Sequence, residues 1–138
     1  MDFAFDHVHI ICRDLDAMVR YFERVFGARV ASYDGSFHGA PNAVMELGRA
    51  RLFLRGVRPG ETPGSSSPEA VMGLDHFSLA VGDVAAAAAW LKERGADFIR
   101  ASGPSGMGGR TTAYIRGPED IRIELSERPE PPSAGPTA

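Results

Sequence analysis

The sequence has 138 residues, of which 43% are hydrophobic and 24% charged, with a formal net charge of -3. This balance is typical of a soluble globular domain and gives no sign of the basic surface that nucleic acids or acidic membranes require. The single cysteine, Cys12, rules out an internal disulfide framework. No apolar run is long enough to span a bilayer and the N-terminus lacks a signal-peptide pattern, so we expect a cytoplasmic protein.

The first half of the chain changes from a strand pattern to a helix pattern. Val8, Ile10 and Cys12 alternate with His7, His9 and Ile11, which predicts a strand with both histidines on one face. Residues 15–26 then follow helical spacing, with Asp14 in place to cap the helix. Three further strands are predicted over 29–33, 43–47 and 51–57, with a turn-forming patch over 34–42.

A connection rich in glycine, proline and serine separates the two halves, over residues 58–73. After it the pattern restarts with a predicted strand over 74–81, which carries His76, and a helix over 84–94. Two strands, over 97–100 and 110–116, follow on either side of a glycine-rich segment, and a last strand ends at 127. Residues 128–138 are rich in proline and are expected to form a disordered tail.

The two halves form an internal repeat. His76 follows His7 by 69 positions, and Asp83 follows Asp14 by the same interval. Late in each half, residues 51–55 match residues 122–126 at an interval of 71, so that Phe53 corresponds to Glu124. We therefore predict an α+β fold of two tandem βαβββ modules, whose curved mixed sheet surrounds a cavity. The modules cover residues 1–57 and 74–127 and together form one structural domain.

The last strand carries an isolated carboxylate between apolar residues. Side chains alternate between the two faces of a strand, so Glu124 points away from the layer that Ile123 and Leu125 occupy. A lone glutamate in a strand is most often simply solvated. The same alternation places His7 and His76 opposite their own apolar neighbours, and the joint pattern favours a shared function.

These motifs resemble the vicinal oxygen chelate superfamily. They are Asp-His-Val-His-Ile with a following Asp-Leu-Asp, Leu-Asp-His-Phe-Ser-Leu with a following Asp-Val, and a final Ile-Glu-Leu. The superfamily includes glyoxalase I, methylmalonyl-CoA epimerase, extradiol dioxygenases, fosfomycin-inactivating enzymes and metal-free bleomycin-binding proteins. The resemblance covers the chain apart from its tail. One fold hosts all these activities, so the resemblance indicates the fold more firmly than the reaction.

The resemblance implies a metal site with ligands from the first and last strands of each module. Carried onto this sequence, the four positions are His7, Phe53, His76 and Glu124. Phe53 cannot bind a metal, which argues against a simple glyoxalase I with four protein ligands. The remaining ligands, His7, His76 and Glu124, suit one divalent ion of Fe, Mn, Co, Ni or Zn with positions open for two substrate oxygens.

Strand alternation also predicts the remaining residues of the cavity. His9 and Tyr114 are candidates for proton transfer. The candidates for substrate binding are Phe53, Arg51, Arg55, Arg110, Thr112 and Arg122. Arginines favour an anionic substrate through bidentate hydrogen bonds, although long basic side chains at strand ends equally often reach solvent.

The sequence thus predicts a metal-dependent enzyme that chelates a small anionic substrate through adjacent oxygens. Lyase, isomerase, dioxygenase and fosfomycin-type transferase chemistry all stay open. The alternative is a metal-free protein that binds and sequesters a small molecule, as bleomycin-resistance proteins do. Because a lone curved sheet leaves open edges, we expect a homodimer, with no nucleic-acid or membrane partner.

Overall fold

The computed structural model describes residues 1–2, 4–67 and 69–128. It confirms an α+β fold of two tandem βαβββ modules, each with its own four-stranded mixed sheet. The chain divides into two compact units between Ser66 and Ser67, within the connection predicted over 58–73. Beyond Arg128, the predicted tail lies outside the described residues. Neither helix of the described chain has the length and apolar character that a membrane span requires.

The first unit consists of a strand, a helix and three further strands. Its elements are β1 (His7–Ile11), α1 (Leu15–Phe26), β2 (Arg29–Phe37), β3 (Ala40–Leu47) and β4 (Ala50–Arg55). The strand order is β1-β4-β3-β2, in which β1 runs parallel to β4 and the other neighbours are antiparallel. Because the first strand lies beside the last, His7 pairs with Arg51 and His9 pairs with Phe53.

Helix α1 forms where apolar residues recur every three or four positions. Its first turn is capped by Asp14, whose carboxylate accepts a hydrogen bond from the backbone N–H of Ala17 at 2.8 Å. Gly27 ends the helix in the left-handed conformation, with φ of 68°. The buried side of α1, which includes Phe22, packs on β3 and β4. The core of the unit therefore lies on one face of the sheet, which leaves the other face for polar and aromatic residues.

The second unit repeats the same arrangement. Its elements are β5 (Phe77–Val81), α2 (Val84–Glu93), β6 (Asp97–Gly103), β7 (Thr112–Arg116) and β8 (Arg122–Glu127), with short 3-10 turns at Met107–Gly109 and Pro118–Asp120. The strand order is β5-β8-β7-β6, with β5 parallel to β8. Asp83 caps α2 by accepting a hydrogen bond from the N–H of Ala86 at 2.9 Å. The predicted cap of α1 is thus confirmed, and α2 is capped in the same way.

Alternation along β7 and β8 separates the core side of the second sheet from its opposite face. Ala113, Ile115, Ile123 and Leu125 are almost completely buried, and α2 packs against these two strands. The residues between them therefore point to the other face of the sheet. In the register of the two strands, Tyr114 lies directly opposite Glu124.

The structure corrects several predicted boundaries. The turn-forming patch expected over 34–42 is mostly strand, because β2 extends to Phe37 and β3 begins at Ala40. Only His38 and Gly39 form the turn, with φ of 53° and 81°, and such a tight turn lets the flanking strands stay paired. In the second unit β5 begins at Phe77, so that His76 precedes the regular strand instead of lying within it.

The turn before β8 has an unusual backbone. Glu119 and Asp120 both adopt left-handed conformations, with φ of 54° and 60°, which L-residues with side chains seldom do. Gly117, by contrast, has an ordinary φ of -83°. A Cβ atom at Gly117 would lie 2.5 Å from Cγ1 of Ile121, so the glycine leaves room for this side chain just before β8.

Candidate functional site

The second unit contains a cavity of about 710 Å³. Its lining comes from the residue before β5, the segment between β6 and β7, and strands β7 and β8. The lining residues are His76, Ser105, Gly106, Met107, Gly108, Arg110, Thr112, Tyr114, Glu124 and Ser126. The structure therefore brings together five residues that the sequence selected as site candidates, namely His76, Arg110, Thr112, Tyr114 and Glu124.

His76 and Glu124 converge on the cavity. Nε2 of His76 lies 3.4 Å from Oε2 of Glu124, and their side chains are 28% and 14% exposed. The histidine precedes β5 and the glutamate lies on β8, which pairs with β5 in parallel. An imidazole nitrogen and a carboxylate oxygen that face each other in this way are the donors that divalent transition metals use.

Tyr114 holds the other oxygen of Glu124. Its hydroxyl donates a hydrogen bond to Oε1 of Glu124 at 3.0 Å, and its ring meets the His76 ring edge-on at 5.1 Å. Burial raises the pKa of Tyr114, and the bond to Glu124 raises it further. The phenol therefore keeps its proton at neutral pH and acts as a hydrogen-bond donor. One carboxylate oxygen is thus fixed by Tyr114, while the other faces His76.

Sequence reasoning missed Asp75, which holds the second nitrogen of His76. Oδ2 of Asp75 lies 2.6 Å from Nδ1 of His76, and Oδ1 accepts a hydrogen bond from Nη1 of Arg122 at 2.8 Å. The bond with His76 and the charge of Arg122 lower the pKa of Asp75. The internal repeat contained the signal, because Asp75 follows Asp6 by the same 69 positions as the histidines.

The glycine-rich segment before β7 is folded onto that strand. The N–H of Gly106 donates to the carbonyl of Arg110 at 2.9 Å, and the hydroxyls of Ser105 and Thr112 are 2.8 Å apart. Arg100 also donates to Oγ1 of Thr112 at 3.0 Å. Gly106 is required by this packing, because a Cβ atom there would lie 2.7 Å from Cγ2 of Thr112. The sequence did not identify Arg100 or Ser105.

The first unit carries an aromatic group on the corresponding sheet face. The rings of His7 and Phe53 stack at 3.9 Å and 11°, and His9 contacts Phe53 edge-on at 5.9 Å. Nδ1 of His7 lies 2.6 Å from Oδ2 of Asp6, and Asp6 also pairs with Arg51. Partial loss of solvent and the charge of Arg55 lower the pKa of His9. The ring of Phe53 thus occupies the place beside His7 that Glu124 holds beside His76.

Three of the four predicted substrate-binding arginines are engaged with carboxylates of the protein. Arg51 pairs with Asp6 and Arg122 with Asp75. Arg55 binds both carboxylate oxygens of Glu61, at 2.7 and 3.1 Å. The fourth, Arg110, lines the cavity and has no ion pair within the part of the chain that the structure describes. Of the four, Arg110 is therefore the one whose charge is not paired with a carboxylate of the described residues.

The described residues include no group of three or more His, Cys, Asp and Glu side chains that could hold a metal ion. The donors seen together in the second unit are His76 and Glu124. Two protein donors leave most coordination positions of a divalent ion to water or substrate. The residues present therefore fit a labile, open site and do not fit a closed structural one.

Two βαβββ units with a histidine and a carboxylate on a sheet face are the features of the superfamily suggested by the sequence motifs. The sequence profile described as the Glyoxalase/Bleomycin resistance protein/Dioxygenase superfamily matches residues 6–114. The chain belongs to this superfamily.

Individual relatives support this placement. Lactoylglutathione lyase from Arabidopsis thaliana is 27% identical over 141 aligned residues, which cover 90% of this chain and 46% of the relative. The chain thus spans about half the length of the curated relatives it matches. A glyoxalase/bleomycin resistance/dioxygenase domain from Frankia sp. has a similar structure, with a TM-score of 0.76, 22% identity, and coverage of 94% and 95% of the two chains.

A second similar structure contains a metal. It is a mutant of the fosfomycin resistance protein FosX from Listeria monocytogenes in complex with Mn(II) and a dihydroxypropylphosphonic acid. Its TM-score is 0.67 at 16% identity, with coverage of 91% of this chain and 90% of that chain. At this identity the similarity establishes a common fold.

Proposed function

We propose that this protein is a metal-dependent enzyme that acts on a small anionic molecule bound in the cavity of the second unit. The observation that carries the proposal is the convergence of His76 Nε2 and Glu124 Oε2, 3.4 Å apart, on the cavity wall. Bonds from a metal to such donors are each about 2.0–2.2 Å long, so two donors at this separation can reach the same ion. The donor chemistry suits Fe, Mn, Co, Ni or Zn.

A bound ion would supply a Lewis acid that stabilises negative charge on chelated substrate oxygens. This requirement is common to lyase, isomerase, dioxygenase and fosfomycin-type transferase chemistry, and the proposal covers all four. We keep His7 as a further proposed ligand because of its position in the repeat and the family resemblance. The mutant FosX structure, which contains Mn(II) and a phosphonic acid, is consistent with a divalent ion and an anionic ligand on this fold.

The protein's own residues would position the substrate and its protons. Tyr114 keeps its proton and donates to Glu124, so it is proposed to orient the carboxylate and to donate a hydrogen bond near the substrate. His9, whose pKa is lowered, is neutral at neutral pH and is proposed as the proton acceptor. Thr112 is almost completely buried beneath the cavity and is held by Arg100 and Ser105. It would give the substrate a fixed hydroxyl contact.

Arg110 is the residue on which the proposed preference for an anionic substrate mainly rests. Arg110 lines the cavity and has no carboxylate partner among the described residues. Arg51, Arg55 and Arg122 remain proposed contacts, but each would first have to exchange a protein carboxylate for the substrate. A carboxylate, phosphate or phosphonate on the substrate would therefore bind Arg110 most readily, through paired hydrogen bonds.

The second candidate function is metal-free binding and sequestration of a small molecule. The stacked rings of His7 and Phe53 favour it, because they offer a flat aromatic surface of the kind that binds planar ligands. The two candidates differ in a directly measurable property, because only the enzyme requires a metal.

Metal binding by the purified protein tests the proposal. The parent protein should bind one Mn, Fe, Co, Ni or Zn ion per site, and His76→Ala and Glu124→Ala should each reduce the bound metal well below the parent level. His7→Ala tests the further ligand in the same way. Glu93→Ala, on the exposed side of α2, is the matched control and should bind as the parent does. A parent protein that binds none of the five metals would exclude the enzyme and leave the sequestering protein.

We also propose that the protein forms a homodimer. Each four-stranded sheet leaves two edge strands, which proteins usually cover or pair. Edge strand β2 spans nine residues and has two half-exposed aromatic side chains, Tyr33 and Phe37. Analytical ultracentrifugation should detect the dimer, and a strict monomer at micromolar concentration would contradict it.

A further inference from the structure

We propose that Asp75 is a positioning residue for metal binding, which holds His76 with Nε2 directed at the cavity and is itself held by Arg122. This inference rests on the proposed metal dependence of the cavity. Asp75 does not line the cavity, and neither the sequence motifs nor the family comparison gives it a role. Its function would be exerted through the imidazole of His76.

The geometry divides the two oxygens of Asp75 between two partners. Oδ2 lies 2.6 Å from Nδ1 of His76, and Oδ1 accepts from Nη1 of Arg122 at 2.8 Å. Neighbouring side chains in a regular strand point to opposite faces, so Asp75 could not reach His76 if both lay within β5. Both residues precede Phe77, where β5 begins, and this irregular segment allows the contact.

The bond with Asp75 selects one form of the imidazole ring. A neutral imidazole carries one N–H and a carboxylate can only accept, so we infer that the proton lies on Nδ1, whose contact with Asp75 at 2.6 Å is much shorter than that of Nε2 with Glu124. The lone pair is then on Nε2, which is the nitrogen 3.4 Å from Glu124. Histidines that bind metals commonly donate their other N–H to a carboxylate, and loss of such a partner lowers metal affinity about 10- to 100-fold.

Arg122 connects this arrangement to the strand that carries Glu124. It lies on β8 two residues before Glu124, on the same face, and is 25% exposed. One strand therefore supplies a proposed ligand and also fixes the residue that orients the other ligand. A displacement of β8 would move Glu124 and disturb His76 together.

The described residues contain a second aspartate that contacts both a histidine and an arginine. Asp6 contacts Nδ1 of His7 at 2.6 Å and pairs with Arg51, which corresponds to Arg122. There the ring stacks on Phe53 instead of facing a carboxylate. The combination of an oriented histidine and a facing carboxylate within one unit is therefore found, in the described residues, at His76 and Glu124.

Titration of the full-length protein with Mn²⁺ and with Zn²⁺ by isothermal calorimetry tests the inference. Asp75→Asn should weaken binding about 10- to 100-fold, and Arg122→Gln should weaken it by a smaller factor. The matched control is Asp97→Asn, which removes a carboxylate paired with Arg116 in the same unit. This control should leave binding unchanged. Folded Asp75→Asn protein that binds both metals as tightly as the parent would overturn the inference.

A second measurement does not depend on metal. ¹⁵N chemical shifts of His76 in metal-free protein, recorded well above the usual titration range of imidazole, should report the proton on Nδ1 in the parent. In Asp75→Asn, and in Arg122→Gln if the first variant does not fold, the Nε2–H form should gain population. A parent ring protonated on Nε2 would overturn the inference even if metal binds. A parent with the expected ring form that binds no metal would reject the proposed function and leave the positioning geometry confirmed.

Discussion

Tyr114 and Glu124 face each other across the β7–β8 pair, joined by a hydrogen bond of 3.0 Å. A second tyrosine, Tyr33, makes a bond of nearly the same length to Asp16, at 3.1 Å. The two pairs differ in their surroundings, because the Glu124 side chain is 14% exposed whereas Tyr33 is 51% exposed. They therefore allow the effect of burial on one type of contact to be measured.

Tyr114→Phe should lower the free energy of unfolding of the metal-free protein by about 1–2 kcal/mol, because it leaves a largely buried carboxylate oxygen without its donor. Tyr33→Phe should change it by less than about 0.5 kcal/mol, since water replaces the lost partner at the surface. Urea denaturation measures both values. Equal effects of the two substitutions would mean that the Tyr114 bond adds no more than an exposed one.

Phe53→Glu should increase metal binding. It places a carboxylate beside His7 at the position equivalent to Glu124, and so recreates in the first unit the donor pair of the second. Equilibrium dialysis with elemental analysis gives the bound metal.

Phe53→Leu is the control for Phe53→Glu, because it removes the stacked ring without adding a ligand. If Phe53→Glu and the parent bind metal equally, residue 53 does not lie where the fourth ligand of the family lies.

The helix caps Asp14 and Asp83 should contribute similarly to stability, because each accepts one hydrogen bond from the first turn of its helix. We expect Asp14→Ala and Asp83→Ala each to cost about 1 kcal/mol. Thermal and urea unfolding provide the comparison. Arg20→Ala, at an exposed site in α1, is the control and should be nearly neutral. Caps without effect would show that tertiary packing alone fixes where these helices begin.

The Arg55–Glu61 pair should make stability depend on pH in the acid range. The bond with Arg55 lowers the pKa of Glu61 below its ordinary value of 4.5. The unfolded chain therefore takes up this proton at a higher pH than the folded protein. The stabilising contribution of Glu61 is fully present above about pH 4.5 and is lost as pH falls through the lowered folded-state pKa.

Glu61→Gln should accordingly unfold at a lower temperature than the parent at neutral pH, and the difference should shrink below about pH 4.5. Scanning calorimetry over this range measures it. Glu69→Gln, whose carboxylate has no ion pair among the described residues, is the control. A difference that stays constant down to the most acidic conditions would exclude the lowered pKa.

Local patterns were sufficient to predict most of the fold. Changes in the spacing of hydrophobic residues along the chain located the strands and helices. The 69-residue interval between His7 and His76 established the repeat. The same alternation correctly separated Glu124 from Ile123 and Leu125. Such features depend on neighbours along the chain, so a single sequence contains them.

Contacts between distant residues could not be predicted in this way. Arg51 and Arg122 were expected at a substrate, but each pairs with an aspartate more than 40 positions away in the sequence. The contact between Asp75 and His76 could not be predicted from strand alternation, because adjacent residues in a strand are expected to point to opposite faces. The extent of β2 was underestimated for a related reason, since its pairing with β3 outweighs the weak strand preference of residues 34–37.

The turn before β8 reverses the usual assignment of glycine. In most turns glycine occupies the left-handed position, but here Glu119 and Asp120 take it while Gly117 provides clearance for Ile121. The usual effects of exchanging glycine and alanine in a turn should therefore be reversed. Gly117→Ala should destabilise the protein, because the added methyl group would push on the first residues of β8. Glu119→Gly should instead release backbone strain. The position of Glu124 in the cavity thus depends on the absence of a side chain at Gly117, seven residues earlier in the chain.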